Sequence, residues 1–251
     1  MNYSTNYWKT KIVGCAAALL LSFSSVSAET IEFVVSASAG GPNDTVTRKI
    51  VEKLEKSSGL QFIVSNKPGA AHTIAYTYIS NSNKPTLLVS TSEITNHEVY
   101  SQLEDVHTAG YFYNILFVSA NSKVRTFKEF VETAKTREII FGHSGIGTFS
   151  NQAMEHVCVA PIKCLKVPYK SGSDGMLAIM SGQIDTYALP SYGAQQFLDN
   201  NKLVAIHNVK LPREKSWVKL FSKNLSHKDK ETISNILKQD VNFFANLGFE
   251  K

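Results

Sequence analysis

Residues 33–46 read FVVSASAGGPNDTV, and the reading of this stretch decides the fold. An apolar run, Phe33-Val34-Val35, stops at small residues. A Gly40-Gly41-Pro42 turn follows, then the polar pair Asn43-Asp44. Beyond it, Val46, Ile50, Val51 and Leu54 recur at helical spacing, which predicts a helix with one buried face. Strand, glycine turn and helix in this order form a unit of an α/β lobe. Glycine lets backbone come close to a ligand, and proline suits the first position of a helix. The free amides at a helix start, with about half a positive charge, attract anions. Residues 139–150, IIFGHSGIGTFS, repeat the pattern and add hydroxyls. The two loops are therefore expected to face each other across a cleft. The plainer reading, two turns and nothing more, stays open beside it.

Working outward, the strand–helix alternation continues. Residues 30–35, 61–65 and 86–90 read as strands, with Gly59 ending the first helix and a turn at Asn66-Lys67-Pro68-Gly69. Residues 71–80 read as a helix rich in β-branched and aromatic residues. After the apolar strand 113–119 the alternation restarts. Thr126 and Glu129 form a capping box ahead of Phe127, Phe130, Val131 and Ala134. Strands are expected at 138–141, 165–167, 184–189 and 203–207, and helices at 150–157 and 174–180. Ser226 caps a last helix carrying Ile233, Ile236 and Leu237. Such alternation predicts parallel sheets covered on both faces, here in two lobes: residues 29–115 with 210–251, and residues 116–209.

The chain has 251 residues, and the first 28 read as a secretory signal. Lys9 and Lys11 give a basic start, residues 12–21 an apolar core, and Val26-Ser27-Ala28 a small-x-small cleavage site. The apolar core is shorter than the roughly 20 residues a bilayer span needs. Cleavage after Ala28 would leave a soluble, periplasmic chain. Without the two early lysines the 26 basic residues fall to 24, against 21 acidic ones. So slight an excess, with no basic cluster, argues against nucleic acid as a partner. Cys158 and Cys164 remain, and in an exported protein a disulfide is the default. A zinc site would find only His156 nearby, and a catalytic thiol has no local support.

Enzyme motifs fail at single positions. Gly142-His143-Ser144-Gly145-Ile146 carries isoleucine where a nucleophile elbow needs its last glycine. Gly145-Ile146-Gly147-Thr148-Phe149-Ser150 lacks the final glycine of the dinucleotide fingerprint. His143 is expected at a loop or rim, turned away from Ser144. A serine hydrolase that uses Ser144 with a distant histidine remains an alternative.

The segments AGGPND (39–44), NKPGA (66–70), GHSGIGTFSN (142–151), VPYKSGSDGMLAIMSGQID (167–185) and KLVAI (202–206) together resemble the receptor proteins of tripartite tricarboxylate transporters, the Bug-type periplasmic binding proteins. The similarity runs in order over most of the chain. It implies the two-lobed type II periplasmic-binding fold, an α/β architecture, closing over a small carboxylate that is passed to membrane transporter subunits. It implies a monomer that binds without catalysis and without cofactor or metal. By resemblance, Gly40, Gly41 and Asp44 line the first lobe, with Asn66, Gly69, Thr91 and Ser92 near them. Ser144, Gly145, Gly147 and Thr148 line the second, with Lys170, Ser171 and Asp185 close by. Each has a plainer role: Asp44 as a helix cap, Asn66 as turn chemistry, Lys170 as a solvated cation, Asp185 as a strand-end or loop holder.

The chain also departs from the family. Ser38-Ala39 stands where a proline usually precedes the glycines, and Gly69-Ala70-Ala71-His72 replaces a glycine-rich tract. The Ala71 β-carbon and the His72 ring are expected to intrude toward the ligand. The chain is shorter between Ile206 and Trp217 and after Phe249 than the family pattern. The fold is accordingly expected with a shortened C-terminal part. A binding module without a transport role, a sensor or partner protein, is the other alternative.

Overall fold

The computed structural model describes residues 30–250 apart from 193, 195, 196, 199 and 210–215. The basic start, apolar core and cleavage site at Ala28 lie outside the described residues. The first sheet has the order β2-β1-β3-β10-β4. Its strands are β1 (Ile31–Val35), β2 (Phe62–Asn66), β3 (Thr86–Thr91), β4 (Glu104–Tyr111) and β10 (Trp217–Lys223). The second has the order β7-β6-β8-β5-β9. It comprises β5 (Asn114–Ser119), β6 (Ile139–His143), β7 (Cys164–Pro168), β8 (Thr186–Pro190) and β9 (Leu203–Val209).

The sheets are mixed, which corrects the expectation of parallel ones. β1 runs parallel to β2 and β3, and β6 parallel to β7 and β8. β10, however, lies antiparallel between β3 and β4, and β5 antiparallel between β8 and β9. β5 and β10 each follow a passage of the chain from one sheet to the other. The two passages meet where the Phe112 amide donates to the Ser216 carbonyl, 2.9 Å.

Alternate residues of β1 feed separate cores, as the two-residue period of a strand requires. Phe33 packs with Ile50, Leu54, Val89 and Leu220 on one face. Val34 packs with Tyr76, Ile79, Leu88 and Phe221 on the other. In the second sheet Leu116 and Phe141 join Phe130 and Met154, while Phe117 and Leu189 join Met176 and Ile179. Each such large side chain contributes about 1.5–3 kcal/mol by leaving water. Helix α1 (Pro42–Ser58) has Pro42 in its first turn and ends at Gly59, whose φ of 72° is left-handed. Residues 70–80 form a three-residue 3-10 turn and then α2 (Thr73–Ser80). Helix α3 (Phe127–Thr136) begins at the expected capping box, with both Thr126 and Glu129 bonded. Helices α4 (Phe149–Val157), α5 (Gly172–Met180) and α6 (His227–Gln239) start at Thr148, Ser171 and Ser226, whose side chains accept helix amides. Cys158 and Cys164 form a disulfide that ties the end of α4 to the start of β7.

Candidate functional site

A cavity of about 60 Å³ lies at the C-terminal ends of the strands of both sheets. Three helix starts reach it: Pro42 and Asn43 of α1, Phe149 and Ser150 of α4, and Gly172 and Ser173 of α5. The lobes touch here. A Cβ on Gly41 would fall 2.5 Å from the Ser173 Oγ, and one on Gly145 would fall 3.1 Å from the Ala71 Cβ. The Ser173 hydroxyl donates to the Ser38 carbonyl across the gap, 3.3 Å. Below the cavity Phe112 meets Phe149 and Tyr192 edge-on, and Tyr192 stacks on Phe249. Residues 248–250 are thus built into the junction. Gly248 also accepts from the Ser191 hydroxyl, and Glu250 pairs with Tyr111.

A feature not expected from the sequence is an acid of the first lobe at a helix start of the second. The Glu93 carboxylate accepts the Phe149 amide of α4 through Oε1. Its Oε2 accepts from the Thr91 hydroxyl at 3.1 Å and faces the His72 Nε2 at 3.3 Å. The other ring nitrogen of His72 lies 3.1 Å from the Ser36 carbonyl. Both ring nitrogens thus face oxygen acceptors, an arrangement that favours the protonated ring. Burial works against that charge, but the hydrogen bond and charge of Glu93, with the Ser36 carbonyl, outweigh it and raise the His72 pKa. The ring reaches this place because Ala70, Ala71 and His72 take φ values of 47°, 48° and 73°. A left-handed conformation costs a non-glycine residue on the order of 1–2 kcal/mol. His72 thereby lines the cavity, while Ala71 lines the neighbouring hollow.

On the second lobe, Ser144, Thr148 and Ser150 form a hydroxyl cluster. The Ser144 and Ser150 oxygens are 2.8 Å apart, and Thr148 lies 3.3 Å from Ser144 and 3.1 Å from Ser150. Tyr187, buried, lines the cavity with its hydroxyl beside Ser144 and Ser150. Burial is the main cause that pushes its pKa up to about 12. Asn43 accepts from the Tyr192 hydroxyl, 2.8 Å, joining α1 to the second lobe.

Of the residues singled out from sequence, Thr91, Ser144 and Thr148 line this cavity. Gly41 and Gly145 lie at the contact between lobes, and Gly147 lines a neighbouring hollow that shares Glu93 and Thr148. Ser171 caps α5 beside the cavity-lining Gly172. Ser92 is buried at the start of the 3-10 turn Ser92–Asn96. Gly40 is exposed, and Gly69, buried, lies against the Lys170 side chain, neither of them lining the cavity.

Asp44 and Asn66 serve the loop. Asp44 accepts from the Gly40 amide, the Arg48 Nε and the Asn66 amide group, each at 2.9 Å. It caps no helix amide, because Gly41 occupies the N-cap. Burial opposes its charge, yet these three partners hold its carboxyl below the usual range. Asp185 takes the plainer of its two roles, that of a holder at the strand start. It accepts from both Arg137 terminal nitrogens at 2.6 and 2.7 Å and from the Ile140 amide at 2.8 Å. It precedes β8, whereas the cavity meets the far end of that strand at Leu189 and Pro190.

His143 is a correction. It is buried, and its Nδ1 accepts the Gly145 amide at 3.2 Å. Among the described residues no hydrogen bond joins Ser144 to a histidine, and no group of three metal-ligating side chains forms. Glu93, Ser150, Ser173, Tyr187 and Tyr192 escaped sequence reasoning. Glu93 carried a usable signal, an acid just past the end of a fully buried strand.

The family model described as "Tripartite tricarboxylate transporter family receptor" matches residues 46–224. A UPF0065 protein in the gbd 5′ region of Cupriavidus necator is 26% identical over 172 residues, 63% of this chain and 52% of that protein. The chain spans about half the length of the curated relatives it matches. Among solved structures, the periplasmic binding protein BugD superposes with a TM-score of 0.70 at 20% identity, over 87% of this chain and 86% of its own. MatC from Rhodopseudomonas palustris with bound malate gives 0.71 at 19% identity, over 87% and 88%. These likenesses establish the two-lobed type II periplasmic-binding fold. The strand–turn–helix units, the paired loops and the match over most of the described chain lead to one assignment: the chain belongs to the tripartite tricarboxylate transporter receptor family.

Proposed function

We propose that the protein is an exported, periplasmic solute receptor that captures a small organic carboxylate between its lobes and delivers it to a tripartite tricarboxylate-type transporter. One observation carries this reading: a carboxylate, that of Glu93, sits on the amide of Phe149 across the cleft. The start of α4 thus already donates to the kind of group a ligand would bring. The starts of α1 and α5 present the same chemistry to the same cavity. Closure about the two chain passages excludes water and strengthens each charge-assisted bond. The protein binds and releases; it does no chemistry on its ligand. The lobes are residues 29–115 with 210–251, and 116–209, a division supported by the strands each sheet takes. The receptor acts as a monomer, its leader removed after Ala28. The malate bound by MatC is consistent with an acid ligand. Thermal-shift screening of the purified chain across mono-, di- and tricarboxylates tests the proposal. At least one acid raises the melting temperature in a saturable way. A folded protein that responds to none of them refutes it.

A further inference from the structure

We propose, building on the carboxylate-receptor reading, that Glu93 sets the charge of the ligand: the site takes an acid with a single carboxylate and an apolar body. Of the three helix starts at the cavity, that of α4 is already occupied. Glu93 holds the Phe149 amide there, and its carboxylate is tied down on its other oxygen by Thr91 and His72. The Glu93 side chain is only 10% exposed. Displacing it would take from the buried His72 ring its carboxylate partner, since the two nitrogens face Glu93 and Ser36, and leave a buried polar group unpaired.

The remaining wall has room for one acid group. Pro42 and Asn43 of α1, and Gly172 and Ser173 of α5, bring two helix starts to the cavity. The buried Tyr187, its hydroxyl beside Ser144 and Ser150, lines the same space. A carboxylate received by these groups leaves its carbon chain against Ala37, Leu189 and Pro190. Among the described residues of the wall, a second carboxylate would find no lysine or arginine. His72, in that wall, already faces the Glu93 carboxylate at 3.3 Å. The second charge would instead meet the Glu93 carboxylate, and like charges in a poorly solvated site repel strongly.

Isothermal titration of the purified full chain with butyrate and with succinate tests this. The wild type binds butyrate at least tenfold more tightly than succinate. In Glu93→Gln the preference falls below threefold because succinate gains. Succinate binding the wild type as tightly as butyrate, or a tenfold gap that persists in folded Glu93→Gln, overturns the inference while leaving a carboxylate receptor in place. If neither acid, nor any longer mono- or dicarboxylate, binds the wild type, both readings fall together. Should Glu93→Gln not fold, the wild-type ratio alone decides.

Discussion

The loop ahead of α1 and the loop ahead of α4 are alike in sequence but differ in where their acid comes from. In the first, Asp44 folds back within its own turn, accepting from Gly40 and Arg48 and reaching Asn66 at the end of β2. In the second, the acid arrives from Glu93, 56 residues away and on the other lobe. A loop closed by its own acid is a fixed part of one lobe. A loop whose helix start is held by an acid of the opposite lobe is a clamp between lobes. The difference goes with what each loop brings to the cavity: the second contributes the hydroxyls of Ser144, Thr148 and Ser150, whereas the acid of the first, Asp44, does not line it.

The largest effect expected from this contrast is on stability. Asp44→Ala removes a buried acceptor with three partners and should cost about 2–3 kcal/mol in urea unfolding. Arg48, whose side chain is 52% exposed, supplies only a small share. Ser144→Ala in the second loop should cost less than about 1 kcal/mol. There the Ser150 hydroxyl keeps its bonds to the Ser144 amide and to Thr148. Equal losses at the two positions would erase the distinction.

A smaller effect should follow pH. The folded pKa of His72 is raised, so its contribution is fully present below the ordinary imidazole value of about 6.5 and is lost as pH rises through the raised value. The melting-temperature difference between wild type and His72→Gln should therefore shrink from mildly acidic to alkaline pH. His107 works in the opposite direction. Burial first, and then Lys238, push its pKa down to about 4. Its contribution is present above the ordinary value and is lost as pH falls toward about 4. A His72→Gln difference that does not change with pH would mean that no imidazolium pairs with Glu93.

Much of this was legible in the chain itself. The β1–α1 unit, the Thr126 capping box and the 158–164 disulfide all follow from local patterns, and the structure has each of them. β4 and β10 were missed because EDVHTAGY and WVKLFSK mix charges and glycine with apolar residues and face water in part. Their antiparallel insertion is a pairing between distant segments that no local period encodes. Glu93 and Tyr187 read as a strand's polar exit and a core aromatic. They lie on different lobes, and only the approach of the two lobes brings them to one cavity. The plainer role of Asp185 was within reach from sequence alone. Ligands gather at the C-terminal ends of parallel strands, and Asp185 precedes its strand.

A crystal structure of the protein with its tightest-binding small acid tests the account most directly. The account places a carboxylate in the cavity between α1 and α5, within hydrogen-bond distance of the Tyr187 hydroxyl, with Glu93 still on the Phe149 amide. An acid bound outside that cavity, or one touching a single lobe, would contradict it.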